Sequence, residues 1–217
     1  MRTGELMDLA WRPVEDGGEG TRAVLGLAGP PGAGKSTLAR ALVDGLRRRH
    51  GPDAAAYVPL DGFHLSGAQL ERLGLSSRKG SPPTFDVHGY AALLRRLASR
   101  PAHDVYVPDF DRALDEPVAA RHVVAPGVRL VVTEGNYLAC DLPGWREARE
   151  WIDEVWYVDA DAAERRRRLL ERQLTGGRTE EEARAWVEGN DMPNAGVVEA
   201  ARDSAWVKRV FHWSGHD

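Results

Sequence analysis

The amino-acid sequence predicts an α/β protein built on a mostly parallel central sheet. Short apolar runs alternate along the chain with segments in which apolar residues recur at helical spacing. Alternation of this kind is typical of βα units wound around a parallel sheet. The chain has 217 residues, of which 42% are hydrophobic and 29% charged, and these values suit one sizeable globular domain.

Composition excludes several classes of function. Acidic residues outnumber basic ones 33 to 29, which gives a net charge of −4 and argues against a general nucleic-acid binder. The single cysteine, Cys140, excludes an intrachain disulfide. No apolar run approaches the ~20 residues of a membrane span, and residues 1–20 are too polar for a secretory signal. We therefore expect a soluble cytoplasmic protein without membrane or nucleic-acid partners, and the sequence is compatible with a homodimer.

The first βα unit carries the most specific motif. It follows residues 1–22, whose Gly- and Glu-rich second half predicts a flexible lead-in, and its strand is predicted at Ala23–Ala28. Residues 35–50 place apolar side chains on one helical face. The loop Gly29–Ser36 reads GPPGAGKS, which matches the nucleotide-binding pattern G-x-x-x-x-G-K-S/T in the strand–loop–helix context that this pattern requires.

The residues of this loop have distinct expected roles. Glycines let backbone N–H groups wrap a phosphate, and the helix N-terminus adds a partial positive charge at the same place. Lys35 can reach the β- and γ-phosphates of a nucleotide, and the Ser36 hydroxyl can ligate Mg²⁺. The nucleotide contacts are predicted at Gly29, Gly32, Ala33, Gly34, Lys35, Ser36 and Thr37.

The second apolar run, over residues 54–60, predicts a strand that ends at Asp61. Ligands of open α/β sheets bind at the carboxyl ends of strands, where a carboxylate can orient an attacking hydroxyl group and accept its proton. Asp61 is therefore the candidate general base, and a turn-forming Asp-Gly pair is the alternative. Helices are predicted over 66–73 and 87–99, with a loop over 74–86 between them.

The middle of the chain supplies a second acidic strand end. Strands are predicted over 104–107, 128–133 and 155–158, and residues 108–126 are expected to form a hairpin or loop outside the sheet. The strand over 128–133 ends at Glu134, in the position where an acidic residue helps to hold Mg²⁺, usually through water. A solvated Glu at a strand end is the alternative.

The C-terminal part predicts two helices joined by a flexible turn. The helical patterns cover residues 162–174 and 180–189, and Gly176-Gly177 separates them. A helix over 195–205 and a strand over 207–213 close the chain.

The first of these helices carries a run of arginines. Arg165, Arg168 and Arg172 are spaced i, i+3 and i+7, so they share one face of the helix. Cations on a mobile helix can close over transferring phosphates and exclude water, which predicts a lid. The alternative is a solvated basic face paired with Glu164 and Glu171.

A nucleotide loop does not fix the reaction. GTPases carry an Asn/Thr-Lys-x-Asp motif, and none of the three lysines, at 35, 79 and 208, lies in one. The letters LSGAQ at 65–69 resemble the signature of transporter ATPases, but they follow the second strand and not the later position that the signature occupies. A small-molecule kinase is favoured, and an acceptor-independent ATPase or a nucleotide-binding regulatory module are the alternatives.

Five short segments after the nucleotide loop occur in the order of a known family. They are DGFH at 61–64, RKGSPPTFD at 78–86, EGNY at 134–137, RLLER at 168–172 and NDMPN at 190–194. With them, the chain from about residue 23 to residue 210 resembles the phosphoribulokinase/uridine kinase family of P-loop kinases, which includes bacterial pantothenate kinases. DGFH is similar to the family's Asp-x-Phe segment, which holds its proposed catalytic base, and RLLER to its Arg-x-x-x-Arg lid. RKGSPPTFD is similar to a pantothenate kinase segment, and NDMPN to a tail motif of nucleoside or fructose kinase-like members.

The resemblance implies a P-loop NTPase three-layer sandwich over residues 23–217, with a small helical lid around 162–189. It implies that ATP with Mg²⁺ donates a phosphoryl group to a hydroxyl of a nucleoside, sugar or pantothenate-like metabolite. The implied catalytic residues are Asp61, Lys35, Arg168 and Arg172, and the implied metal ligands are Ser36 and Glu134.

One segment departs from the family pattern. Uridine and pantothenate kinases carry a Tyr with a nearby His before the hairpin, whereas this chain has Phe110, which lacks a hydroxyl. Losing a polar contact is costly in a site built for it, so we expect an acceptor that differs from uridine and pantothenate. The candidate acceptor residues are His64, Arg78, Lys79, Asp109, Arg112, Tyr137 and Asn194.

Overall fold

The computed structural model describes residues 3–18 and 20–213. The strands of this part of the chain are β1 (Ala23–Ala28), β2 (Ala55–Pro59), β3 (Val105–Asp111), β4 (Glu116–Val124), β5 (Leu130–Glu134), β6 (Glu154–Asp159) and β7 (Val207–His212). Five of them form a parallel sheet in the order β2-β5-β1-β6-β7. The other two, β3 and β4, form the antiparallel hairpin expected near residues 108–126.

Helices connect the strands of the sheet. They are α1 (Thr3–Asp16), α2 (Lys35–His50), α3 (Gly67–Leu73), α4 (Val87–Ala98), α5 (Trp145–Arg149), α6 (Ala162–Thr175), α7 (Glu180–Trp186) and α8 (Met192–Glu199). A π-helical turn, Val187–Asp191, joins α7 to α8. In the described part of the chain, none of the helices combines the length and apolar character that a membrane span needs.

Two apolar layers enclose the sheet. On one face, α1 and α2 pack against side chains such as Leu25 and Val132. On the other face, α4, α5 and α8 pack against Val24, Val131 and Tyr157. All six residues of β1 are buried, as expected for a central parallel strand covered on both faces. The predicted α/β sandwich with a mostly parallel sheet is confirmed.

The N-terminus differs from the flexible lead-in predicted over residues 1–22. Helix α1 buries Leu6, Ala10 and Val14, and its apolar side packs on α2 and β1. These three residues are spaced four apart, so they lie on one helical face. The Gly- and Glu-rich residues that follow hide this spacing in the sequence, and the prediction is wrong for the helix.

Replacing Leu6 by Ala tests the packing of this helix. Leu6 is fully buried, so truncation should leave a cavity and lower the free energy of unfolding by about 2–5 kcal/mol. Denaturant unfolding measures the change, with the exposed Glu15→Ala on the same helix as control. Equal effects of the two substitutions would mean that the helix contributes no packing.

The sheet order brings the acidic strand ends and the nucleotide loop to one edge. Strand β5 lies between β1 and β2, and Glu134 at its end pairs in register with Leu27 and Pro59. The loop after β1, the residue Asp61 after β2 and Glu134 therefore meet at the carboxyl edge of three neighbouring strands, where α/β proteins bind ligands.

Candidate active site

A cleft of about 620 Å³ opens at this edge. It is lined by the loop between β1 and α2, by α6 and α7, where the lid is predicted, and by the segment after α3. The glycines of the loop are structurally required: Gly34 has φ 90° and Gly29 has φ 146°, and a Cβ on Gly29 would overlap the Val158 carbonyl. The resulting cradle at the N-terminus of α2 fits a phosphate group.

Lys35 crosses the loop with its ammonium group buried. Its Nζ donates to the Pro30 carbonyl at 3.0 Å and to Asn136 Oδ1 at 2.7 Å. Burial lowers the pKa of Lys35 to about 8, although the charges of Glu134 and Asp61 oppose the shift. Nucleotide phosphates would add negative charge here and favour the ammonium form. Sequence reasoning missed Asn136, although it directly follows the Glu-Gly pair at the end of β5.

Glu134 is buried beside the start of α2. The Tyr57 hydroxyl donates to its Oε1 at 2.7 Å, and the nearby Ser36 hydroxyl favours the charged form of the carboxylate. Burial raises the pKa of Glu134, and the charge of Asp61 adds to the shift. A hydroxyl and a carboxylate are hard oxygen ligands of the kind that Mg²⁺ takes together with nucleotide phosphates. The donor set therefore fits Mg²⁺.

Asp61 lies in a 3₁₀ turn, Leu60–Phe63, that follows β2 directly. Its carboxylate lines the cleft and remains 33% exposed, with Arg112 Nη2 at 3.4 Å from Oδ2. Arg112 comes from the turn between β3 and β4, so the contact joins two separate elements of the fold. A partly exposed carboxylate that lines the cleft can receive a hydroxyl group.

The arginines predicted to share one face of α6 have different surroundings. Arg168 donates from Nη1 to the Gly32 carbonyl at 3.2 Å, and Arg172 lies 3.7 Å from Asp191; both line the cleft. Arg165 is buried instead, bonded to the Ala160 carbonyl and Glu199. The shared face predicted from spacing thus holds for Arg168 and Arg172, whereas Arg165 supports the base of the lid.

The other arginines of the run lie on a solvated, ion-paired face of the helix, which was the alternative to a lid. Arg167 is exposed and pairs with Glu164 and Glu171, and Arg166 pairs with Glu188. The sequence leaves open whether Arg165 or Arg178 replaces the named lid arginines. Arg178 lines the cleft, with its guanidinium 4.1 Å from the centre of the Trp186 ring.

His64 forms an aromatic wall of the cleft. Its ring stacks on Phe85 with centroids 4.0 Å apart and meets Phe110 edge-on at 5.1 Å. Its buried Nδ1 has no hydrogen-bond partner among the described residues. Burial is the main reason that the pKa of His64 falls from 6.5 to about 4. The ring is therefore neutral at physiological pH.

The lowered pKa gives a pH dependence of stability. Because His64 binds a proton less readily in the folded state, the unfolded state gains protons first as the pH falls, and stability should drop between pH 6.5 and 4. The melting temperature of His64→Asn should fall less over the same range. Parallel profiles for the two proteins would show that His64 does not titrate with folding.

Lys79 and Asn194 also reach the cleft. Lys79 Nζ donates to the Asp115 carboxylate at 2.8 Å and lies 4.9 Å from the centre of the Phe110 ring. Asn194 is buried at the start of α8, and its Nδ2 donates to Asn190 Oδ1 at 3.4 Å. Both line the cleft, together with His64 and Arg112.

Three predicted acceptor residues do not line the cleft. Arg78 is exposed on the outside of its turn. Asp109 is held by His122 Nε2 at 2.8 Å, because the hairpin brings this His from β4 to its side. Tyr137 is fully buried, and its hydroxyl donates to the Gly80 carbonyl at 2.7 Å. These three residues lie in segments that contribute other residues to the cleft, but their own side chains do not line it.

The fold and the phosphate cradle define a P-loop nucleotide-binding protein, and known proteins similar to this chain are kinases. No family model matches the chain. A proposed uridine kinase of Schizosaccharomyces pombe is 35% identical over 184 residues, which cover 82% of this chain and 78% of the relative. The uncharacterised protein YggC of Escherichia coli is 37% identical over 174 residues, which cover 80% of this chain and 71% of that protein. The chain belongs to the phosphoribulokinase/uridine kinase family of P-loop kinases.

A solved structure extends the likeness to the whole fold. The crystal structure of a proposed fructose transport system kinase from Silicibacter sp. TM1040 is similar with a TM-score of 0.85 and 36% identity. The similarity covers 97% of this chain and 99% of that one. The names of these relatives point to different acceptors, so the family does not fix the acceptor here.

Proposed function

We propose that this protein is an ATP-dependent kinase that transfers the γ-phosphoryl group of ATP to a hydroxyl of a small metabolite. The observation that carries the proposal is the placement of Asp61 in one cleft with the phosphate cradle and the lid arginines. A nucleoside, a sugar or a pantothenate-like compound would suit the family. Phosphoryl transfer needs positioning and charge stabilisation more than covalent chemistry from the protein, and this cleft offers both.

Each half of the cleft has its own task in this proposal. The loop amides and Lys35 bind the phosphates, and Ser36 and Glu134 hold Mg²⁺, which would neutralise phosphate charge when bound. The acceptor lies between His64 and Lys79 with its hydroxyl at Asp61. As the bond from the γ-phosphorus to the bridging oxygen of ADP breaks, the acceptor oxygen bonds to phosphorus and its proton passes to Asp61.

The aromatic wall favours a kinase over an ATPase. Water needs no apolar surface to bind, yet His64, Phe85 and Phe110 form a stacked wall beside Asp61. Such a wall, with a few convergent polar groups, is typical of a site for a small organic molecule. A regulatory module would not need a carboxylate at the acceptor position.

A panel of acceptors tests the proposal. ADP release is followed with ATP and Mg²⁺ in the presence of nucleosides, sugars including fructose, and pantothenate. We expect release well above the background rate with one class of hydroxyl compound. Equal release with and without every compound would favour the ATPase, and failure to bind ATP would contradict both readings.

Replacing Arg168 or Arg172 by Ala tests the role of the lid. Charge spreads over the phosphoryl oxygens in the transition state, so each loss should lower kcat by ~10² or more, while ATP affinity without acceptor changes less. The exposed Arg167→Ala, on the same helix, is the control. If Arg168→Ala and Arg172→Ala kept the wild-type kcat, Arg168 and Arg172 would belong to a solvated helix face without a role in the reaction.

A further inference from the structure

The turn between the lid and α8 has an unusual backbone. Residues Val187–Asp191 form a π-helical turn in which Asn190 and Asp191 are both buried. Such turns are rare and occur frequently at functional sites. Neither residue has a role in the proposed reaction, although both belong to the NDMPN segment.

Asn190 points toward the acceptor side of the cleft. Its Nδ2 donates to the Lys79 carbonyl at 2.7 Å, and the Tyr137 hydroxyl donates to the next carbonyl, of Gly80, also at 2.7 Å. Two side chains from different parts of the fold thus hold consecutive carbonyls of one loop. Tyr137 belongs to the apolar core, whereas Asn190 belongs to the turn that follows the lid.

Asp191, the next residue, points toward the lid helix α6. Its Oδ1 lies 3.7 Å from Arg172 Nη2, and its Oδ2 accepts from Gln173 Nε2 at 3.4 Å. An arginine has five N–H donors in a fixed fork, so Arg172 can keep this contact while another part of its guanidinium binds a phosphate oxygen. A bound nucleotide would then restrain Asp191 through Arg172.

The loop that Asn190 holds forms part of the acceptor wall. Lys79 joins this loop to Asp115 at the hairpin turn and lies over the Phe110 ring. A shift at the Lys79 carbonyl would therefore move several acceptor-facing groups together. The contacts run from Arg172 through Asp191 and Asn190 to Lys79.

We propose that Asn190 and Asp191 are positioning residues that order the acceptor wall when a nucleotide engages the lid. The inference rests on the proposed function, because it needs a phosphate at Arg172. Tyr137 is the fixed anchor of the wall, and Asn190 is the anchor that responds to the nucleotide. Acceptor binding would thereby be favoured after ATP has bound.

Hydrogen exchange tests the link without knowledge of the acceptor. Exchange of the amides in residues 78–86 is measured by mass spectrometry, with and without the ATP analogue AMP-PNP and Mg²⁺. Asn190→Asp keeps the side-chain size and can still accept from Asn194, but it cannot donate to the Lys79 carbonyl. Asn190→Ala is the second variant, and Tyr137→Phe is the matched control because it removes one hydrogen bond to the neighbouring carbonyl.

In the wild type, AMP-PNP should slow exchange in this loop by about threefold or more, as expected when one hydrogen bond becomes more persistent. Tyr137→Phe should exchange faster in both states and keep the nucleotide effect. Both Asn190 variants should lose the nucleotide effect while the Kd for AMP-PNP, from calorimetry, stays within about threefold of wild type.

Three results would overturn the inference. If AMP-PNP binds the wild type but leaves the loop unchanged, or if the Asn190 variants keep the full nucleotide effect, the link is absent and the proposed kinase function is untouched. If AMP-PNP does not bind the wild type at all, the proposed function fails first and the inference fails with it.

Discussion

Asp61→Asn should lower acceptor phosphorylation by ~10²–10⁴-fold, because Asn keeps the shape of the side chain but cannot accept the proton of the acceptor hydroxyl. That loss corresponds to about 3–5 kcal/mol of activation free energy. Asp61 is partly exposed in the cleft and makes a 3.4 Å contact to Arg112, so the melting temperature and ATP affinity should change little. Steady-state kinetics with the true acceptor, together with ATP titration, measure these effects.

Asp109→Asn is the matched control for this experiment. Asp109 lies on the same hairpin as Arg112 but bonds to His122 and does not line the cleft. The kcat of the Asp109→Asn variant should therefore stay within about threefold of wild type. If Asp61 were only a turn residue, Asp61→Asn would reduce stability and spare kcat. Activity of Asp61→Asn close to wild type would remove Asp61 from the mechanism.

Lys35→Ala should abolish measurable turnover and weaken ATP binding by about tenfold or more, since it removes the cation that we propose binds the phosphates. The hydrogen bonds of Lys35 Nζ go to Pro30 and Asn136. Neither partner belongs to the apolar core, so the fold should survive the loss of these bonds. Calorimetry with ATP and an ADP-release assay measure the two effects. Lys208→Ala, on the exposed side of β7, is the control and should behave as wild type.

Strands and their carboxyl ends were predictable because apolar runs and acidic termini are local signals. The runs ending at Asp61 and Glu134 form β2 and β5, and the sheet order brings their ends together with the nucleotide loop. The helix Thr3–Asp16 was not predictable in the same way, because the Gly-rich residues after it dominate the local composition.

The directions of several side chains could not be predicted from the sequence, because they depend on contacts between distant parts of the chain. Sequence places Tyr137 three residues after Glu134, but only the fold shows that its ring enters the core and its hydroxyl holds Gly80. Helical spacing likewise grouped Arg165 with the lid arginines, although its side chain is buried and bonds to the Ala160 carbonyl and to Glu199. The partner of Asp109, His122, comes from 13 residues away across the hairpin.

In the proposed reaction, the γ-phosphoryl group moves from ATP to an organic hydroxyl group. The most direct test uses ATP whose γ-phosphoryl oxygens are labelled with ¹⁸O, incubated with Mg²⁺, the enzyme and a small-metabolite extract. Mass spectrometry should then detect a new phosphate ester that carries the labelled phosphoryl oxygens and forms in step with ADP. Labelled inorganic phosphate as the sole product, formed at the same rate without extract, would contradict the claim.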